Sequence, residues 1–200
     1  MGCGNSTAAE PESKPAPQGG AIPQNRTAQE KMNVPAGQMT VDNAFQQLGL
    51  GEKPVINESM AMDQVNDNVE LLQDLNNMLF DAIKKDCAEI NRSYSESDYF
   101  RLWKAAHSLK GAMSNLGIMR YAAVCKAIEE CGKSLEAAVA AARAAAGDAP
   151  TEDDNLEKKL EDERHKLGVY IELLAQQETE YRQHYAAFEK RVLEAAPKKQ

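Results

Sequence analysis

From residue 65 to residue 192 of this 200-residue chain, apolar side chains return every three or four positions, a period that specifies helices. Val65, Val69, Leu72, Leu75, Leu79, Ile83, Cys87 and Ile90 mark out one amphipathic helix, and a shorter one is expected before it near Asn57–Asp63. Leu102, Ala106, Leu109, Met113 and Leu116 form the buried stripe of a second, which "SYSESD" opens with serine caps and Gly117 closes as a C-terminal cap. A third starts at Ile118 and carries Tyr121, Val124, Cys125, Ile128, Leu135, Val139 and Ala142 to the stop signals Gly147 and Pro150. After Thr151, the residues Leu160, Leu167, Leu174, Tyr181 and Phe188 stand seven apart, with Ile171, Tyr185 and Val192 on a second seam, so the last helix is long. No stretch alternates with the two-residue period of a strand. Long helices joined by short connections pack antiparallel, and the expected fold class is all-α: an antiparallel four-helix bundle with a short extra N-terminal helix.

The period fades toward the N-terminus. Six of the eight prolines and seven of the twelve glycines lie within residues 1–54, a composition that cannot bury enough apolar surface to offset its ordering entropy. Residues 1–55 therefore read as a disordered tether, with one short helix around "TVDNAFQQLGL", and residues 56–195 as a single bundle domain. The net charge is 23 − 31 = −8, with no basic run interleaved with aromatics, which argues against nucleic acid as a partner. No apolar run approaches the roughly 20 residues of a membrane span, and the N-terminus lacks a secretory apolar core, so a cytosolic location is expected. Cys3, Cys87, Cys125 and Cys131 show no CxxC spacing, so free thiols and no metal site are expected.

One stretch of the second helix, "AAHSLKGAMSNLG" at 105–117, does not follow from packing. A glycine inside a helix costs roughly 1 kcal/mol relative to alanine, so Gly111 needs a reason. Helical spacing turns His107 away from the buried stripe, with Lys110 and Gly111 three and four residues on and Ser114 on the same side. A neutral imidazole nitrogen can attack a phosphoryl centre in line, and a cation such as Lys110 stabilises the equatorial oxygens. Gly111 leaves room for another protein's close approach. The chain shows no acidic cluster or glycine loop of its own near the site, so Mg2+ is expected from a partner. Phe100 and Trp103 fall on the His107 side, as anchors for that partner or as packing against neighbouring helices. His165 and His184 lack ligand spacing and read as surface residues.

"AHSLKGAMSNLG" resembles the signature of histidine-containing phosphotransfer (HPt) domains: His-x-Leu-Lys-Gly, then a glycine six residues later, on the third element of a four-helix bundle. The resemblance extends through "RYAAVCKAIEECGKSL" and, by helix order, over about residues 57–192. It implies a phosphocarrier without an ATP-binding kinase domain. His107 would accept a phosphoryl group from the aspartate of one receiver domain and pass it to another, with Lys110 as electrostatic support and Gly111 as the point of close approach. Response-regulator receiver domains and a hybrid histidine kinase are the implied partners, and the carrier is expected to be a monomer. The family often has Ser or Thr after the Lys-Gly pair. Here Ala112 and Met113 stand there, which makes Ser114 the candidate hydroxyl. A histidine kinase dimerisation helix is disfavoured, because Ser108 occupies the place of that family's acidic residue. A membrane-anchored helical scaffold carrying a non-functional motif is the alternative.

The N-terminal "MGCGNS" fits the myristoylation pattern at Gly2 with Ser6, and Cys3 is a ready palmitoylation acceptor. One myristoyl chain binds membranes only marginally, so stable anchoring would use Cys3 as the second site. The expected location is then the cytoplasmic face of a membrane, with a cytosolic pool.

Overall fold

The computed structural model describes residues 39–145 and 154–195. They form six α-helices: α1 (Val41–Gln47), α2 (Glu58–Gln64), α3 (Val69–Glu96), α4 (Tyr99–Asn115), α5 (Met119–Ala145) and α6 (Asp154–Ala195), with a 3-10 turn at Leu50–Glu52. The last four make the expected bundle. Pairs across neighbours run in opposite numerical order: His107 with Glu129 and Trp103 with Glu136 between α4 and α5, Arg120 with Glu180 and Cys131 with Glu163 between α5 and α6. The same order joins α3 to α6, where Gln73 meets Glu189 and Tyr94 meets the Arg164 carbonyl, so all three interfaces are antiparallel.

The core is the periodic set. Leu72, Leu79, Ile83, Ile90, Leu102, Leu109, Met113, Tyr121, Ile128, Leu135, Leu167, Leu174 and Tyr181 are buried, while Leu75, Cys87, Leu116 and Leu160 are half-buried at its margin. One polar pair sits inside it, the Tyr181 hydroxyl donating to the Asn76 side-chain oxygen. Cys87, Cys125 and Cys131 are free thiols, and burial pushes all three up, Cys131 to about 12.

Three local features differ from the expected ones. Val65 caps α2 rather than starting α3, because Asn68 takes the N-cap, its side chain accepting from the Leu71 N–H at 3.1 Å. The serines of "SYSESD" do not cap α4. Ser93 and Ser95 lie within α3, Ser97 ends it in the left-handed region at φ 56°, and Asp98 caps α4 by accepting from the Arg101 N–H. An ionised carboxylate suits a helix N-terminus better than a hydroxyl. Gly117, in contrast, closes α4 as expected, with φ at 71°. Its carbonyl accepts the Asn57 N–H at 2.7 Å, and a Cβ there would stand 2.9 Å from the Asn57 carbonyl oxygen, so this glycine also pins the start of α2.

The third difference is the boundary at residue 55. Residues 39–55 are folded onto the bundle: Thr40 caps α1, and Ala44, Leu50 and Val55 are buried. Arg120 at the start of α5 fastens this strap. Its Nε donates to the Lys53 carbonyl at 2.7 Å, its Nη1 meets Glu180 at 2.5 Å, and its guanidinium lies 5.9 Å from the centre of the Phe45 ring. The short helix expected around "TVDNAFQQLGL" is α1, and what the proline- and glycine-rich composition hid is its docking on the bundle. The rest of the expected tether, with Gly2 and Cys3, lies outside the described residues, as do Gly147 and Pro150. Among the described residues no helix is long and apolar enough to cross a membrane.

Candidate functional site

The middle of α4 buries Leu102, Ala106, Leu109 and Met113 and so turns the intervening residues outward. His107 is 60 % exposed at its side chain, and Gly111 one turn on is exposed. Lys110 is half-buried, with its ammonium directed at Glu129 of α5.

The partner of that ammonium was not among the expected site residues. Glu129 of α5 is buried, and its carboxylate is the hub of the site: Oε1 lies 3.0 Å from Nδ1 of His107 and 2.5 Å from Nζ of Lys133, and Oε2 lies 2.6 Å from Nζ of Lys110. Burial alone would push this carboxyl up. The hydrogen bonds from Lys110, Lys133 and His107 outweigh burial and hold it at about 2, so it is ionised throughout the physiological range. An ionised carboxylate only accepts, so the imidazole proton sits on Nδ1 and the lone pair of the neutral ring is on Nε2.

The two aromatics part company. Trp103 is half-buried against α5: its indole N–H donates to Oε2 of Glu136 at 2.6 Å, and Lys133 Nζ lies 4.8 Å from its ring centre. Its Cβ would stand 3.0 Å from a Cβ at Gly132, so the glycine allows α4 and α5 to close here. Phe100 packs edge-on to Trp103, with centroids 5.5 Å apart, yet remains 45 % exposed. Of the pair, Phe100 is the one open to a partner. Ser114 is half-buried and seven residues from His107, about 10 Å along the helix axis, so it does not join the cluster. His165 and His184 are exposed on α6, and the His165 ring nitrogen donates to the Met39 carbonyl at 3.1 Å.

Among the described residues, a Cβ built at Gly111 meets no atom within 4 Å beyond its own helix backbone. Gly111→Ala is expected to stabilise the bundle by about 0.5–1 kcal/mol in denaturant titrations, the ordinary helix-propensity gain, while slowing transfer to and from a partner. A destabilised variant would show that the glycine serves internal packing.

A family model described as the Hpt domain matches residues 65–167, from the C-terminal cap of α2 through α3, α4 and α5 into α6. No curated protein and no solved structure gives a significant match. The matched span is more than half of the chain and holds the His-Ser-Leu-Lys-Gly run, its histidine exposed on a helical bundle. The chain belongs to the Hpt domain family, and its place is histidine phosphotransfer in two-component phosphorelays, with receiver domains as partners.

Proposed function

We propose that His107 is the phosphoryl acceptor and that Nε2 is the atom modified. The observation that carries this is the Nδ1 contact with the buried Glu129 carboxylate on a ring that is otherwise open to solvent. In the forward step the Nε2 lone pair attacks the phosphorus of a receiver's aspartyl phosphate, a P–N bond forms, and the P–O bond breaks with its electron pair returning to the aspartate. The ring becomes an imidazolium that keeps its proton on Nδ1, facing Glu129. The reverse step hands the group to a second receiver. Lys110, held on the same carboxylate, supplies positive charge beside the ring, Gly111 gives the receiver room, and Phe100 offers it an apolar contact. Mg2+ is assigned to the receiver, and a hybrid histidine kinase to the step upstream. The carrier works as a monomer.

Gly2 and Cys3 are read as myristoyl and palmitoyl sites that hold the carrier at the cytoplasmic face of a membrane, with a cytosolic pool. Anchoring and chemistry are then separable: Gly2→Ala is expected to move the protein from the membrane to the soluble fraction with transfer unchanged, and wild type recovered wholly in the soluble fraction would refute the anchor.

The chemistry is tested by incubating the full chain with a phosphorylated receiver domain and locating acid-labile phosphate by 15N and 31P NMR. A phosphorus coupling to Nε2 of His107 is the expected result. Coupling to Nδ1, or phosphate elsewhere, overturns the assignment, and no uptake from any receiver would favour a scaffold bearing an inactive motif. ATP alone is expected to leave His107 unmodified.

A further inference from the structure

Lys133 has no role yet in a site whose phosphoryl acceptor is His107, and the role inferred for it rests on that reading of His107. This lysine lies one turn after Glu129 on α5 with its side chain 48 % exposed, and an exposed pair of that spacing is worth only about 0.3–0.5 kcal/mol by itself. It is not by itself here. Its Nζ is 2.5 Å from Oε1 of Glu129 and 4.8 Å from the centre of the Trp103 ring, so the ammonium is held between a carboxylate and an aromatic face. The ring is in turn fixed from three sides: by the 2.6 Å hydrogen bond from its indole N–H to Glu136, by the close approach of its Cβ to Gly132, and by the Phe100 ring packed nearly perpendicular to it.

We propose that Trp103, oriented by Glu136, is a positioning residue that holds Lys133 on Glu129 and so gives the phosphorylated site its second cation. Formal charges show why that matters. Before transfer the cluster holds one carboxylate, two ammonium groups and a neutral ring. Transfer adds a phosphoryl dianion and makes the ring a cation. With Lys133 in place the phosphorylated cluster is neutral, and without it the cluster, its buried carboxylate included, carries one net negative charge. Trp103 therefore acts on how far the equilibrium with a receiver lies toward phosphohistidine, through Lys133 and without touching the reacting atoms.

The test compares Trp103→Leu, Trp103→Phe, Glu136→Gln, Lys133→Gln and the Trp103→Leu/Lys133→Gln double variant in the full chain. Against a fixed phosphorylated receiver, Trp103→Leu is expected to lower the equilibrium fraction of phosphohistidine about two- to fivefold, the size of a part-exposed cation–π contact. Trp103→Phe keeps a ring face and is expected to restore most of it, Glu136→Gln to act in the same direction as Trp103→Leu, and Trp103→Leu to change nothing further once Lys133 is glutamine. Effects of Trp103→Leu and Lys133→Gln that simply multiply would overturn the proposal, because Trp103 would then act on the receiver by a separate route. A second readout needs no phosphate: the 15N ammonium signal of Lys133 is expected to be protected from exchange in wild type and unprotected in Trp103→Leu, and equal protection in both also overturns it. Protection that behaves as expected in a protein that accepts no phosphoryl group would refute the phosphotransfer reading and leave the placement of Lys133 standing.

Discussion

Replacing His107 by glutamine is expected to leave a folded protein that takes up no phosphoryl group at all. Glutamine has no basic ring nitrogen to attack phosphorus, so the loss should be complete rather than partial. The fold has little stake in the imidazole: its side chain is 60 % exposed, and Lys110 and Lys133 still pair the buried Glu129 when it is gone. Stability should therefore stay within about 0.5 kcal/mol of wild type, as for most surface changes. Acid-labile phosphate after incubation with a phosphorylated receiver, read beside a denaturant titration, checks both halves. Residual uptake would place the acceptor elsewhere, and a large loss of stability would make the histidine part of the scaffold.

The second large effect is on acid stability. Glu129 is held at about 2 in the folded protein, against 4.5 for an ordinary glutamate in the unfolded chain. Because the folded value is the lower, the stabilisation is fully present above pH 4.5 and is lost as the pH falls toward 2. That gap sets an upper limit on the order of 3 kcal/mol, reduced by solvent screening because His107 and Lys133, two of the partners, are about half exposed. Glu129→Gln is expected to lose up to that amount at neutral pH and to flatten the acid limb, so that the two proteins converge near pH 2. Urea midpoints measured for both from pH 7 to pH 2 give the difference curve. A difference that does not shrink as the pH falls would show that the shape of the side chain, rather than its charge, is what the bundle uses.

Periodic features were legible and solitary ones were not. Leu102, Ala106, Leu109 and Met113 repeat, so the face they bury, and the opposite face bearing His107, could be read off one helix. Gly117 was legible because a C-terminal glycine has a local cause in its positive φ. Glu129 stands 22 residues from His107 in "KAIEECGK", where two adjacent glutamates look like surface charge. The signal that could have found it is register: Cys125 and Gly132, four before and three after, are both buried, so a glutamate between them points inward and needs partners. Trp103 was placed on the correct side of α4, but only the pairing of α4 with α5 shows that Glu136 and Lys133 claim it. The short helix in the strap at 39–55 was legible, but its docking on the bundle was not, because Arg120, which fastens it, lies 67 residues away from Lys53 in sequence.

The open space around Gly111 means that two kinds of selection pull one codon in opposite directions. A screen that scores abundance or heat resistance is expected to enrich alanine there, since no described residue beyond its own helix backbone stands in the way, whereas a screen that scores signalling is expected to restore glycine. Libraries of this domain sorted first for folding and then for phosphotransfer are therefore expected to invert their preference at this position, and design methods that see a single chain have no term that would keep the glycine.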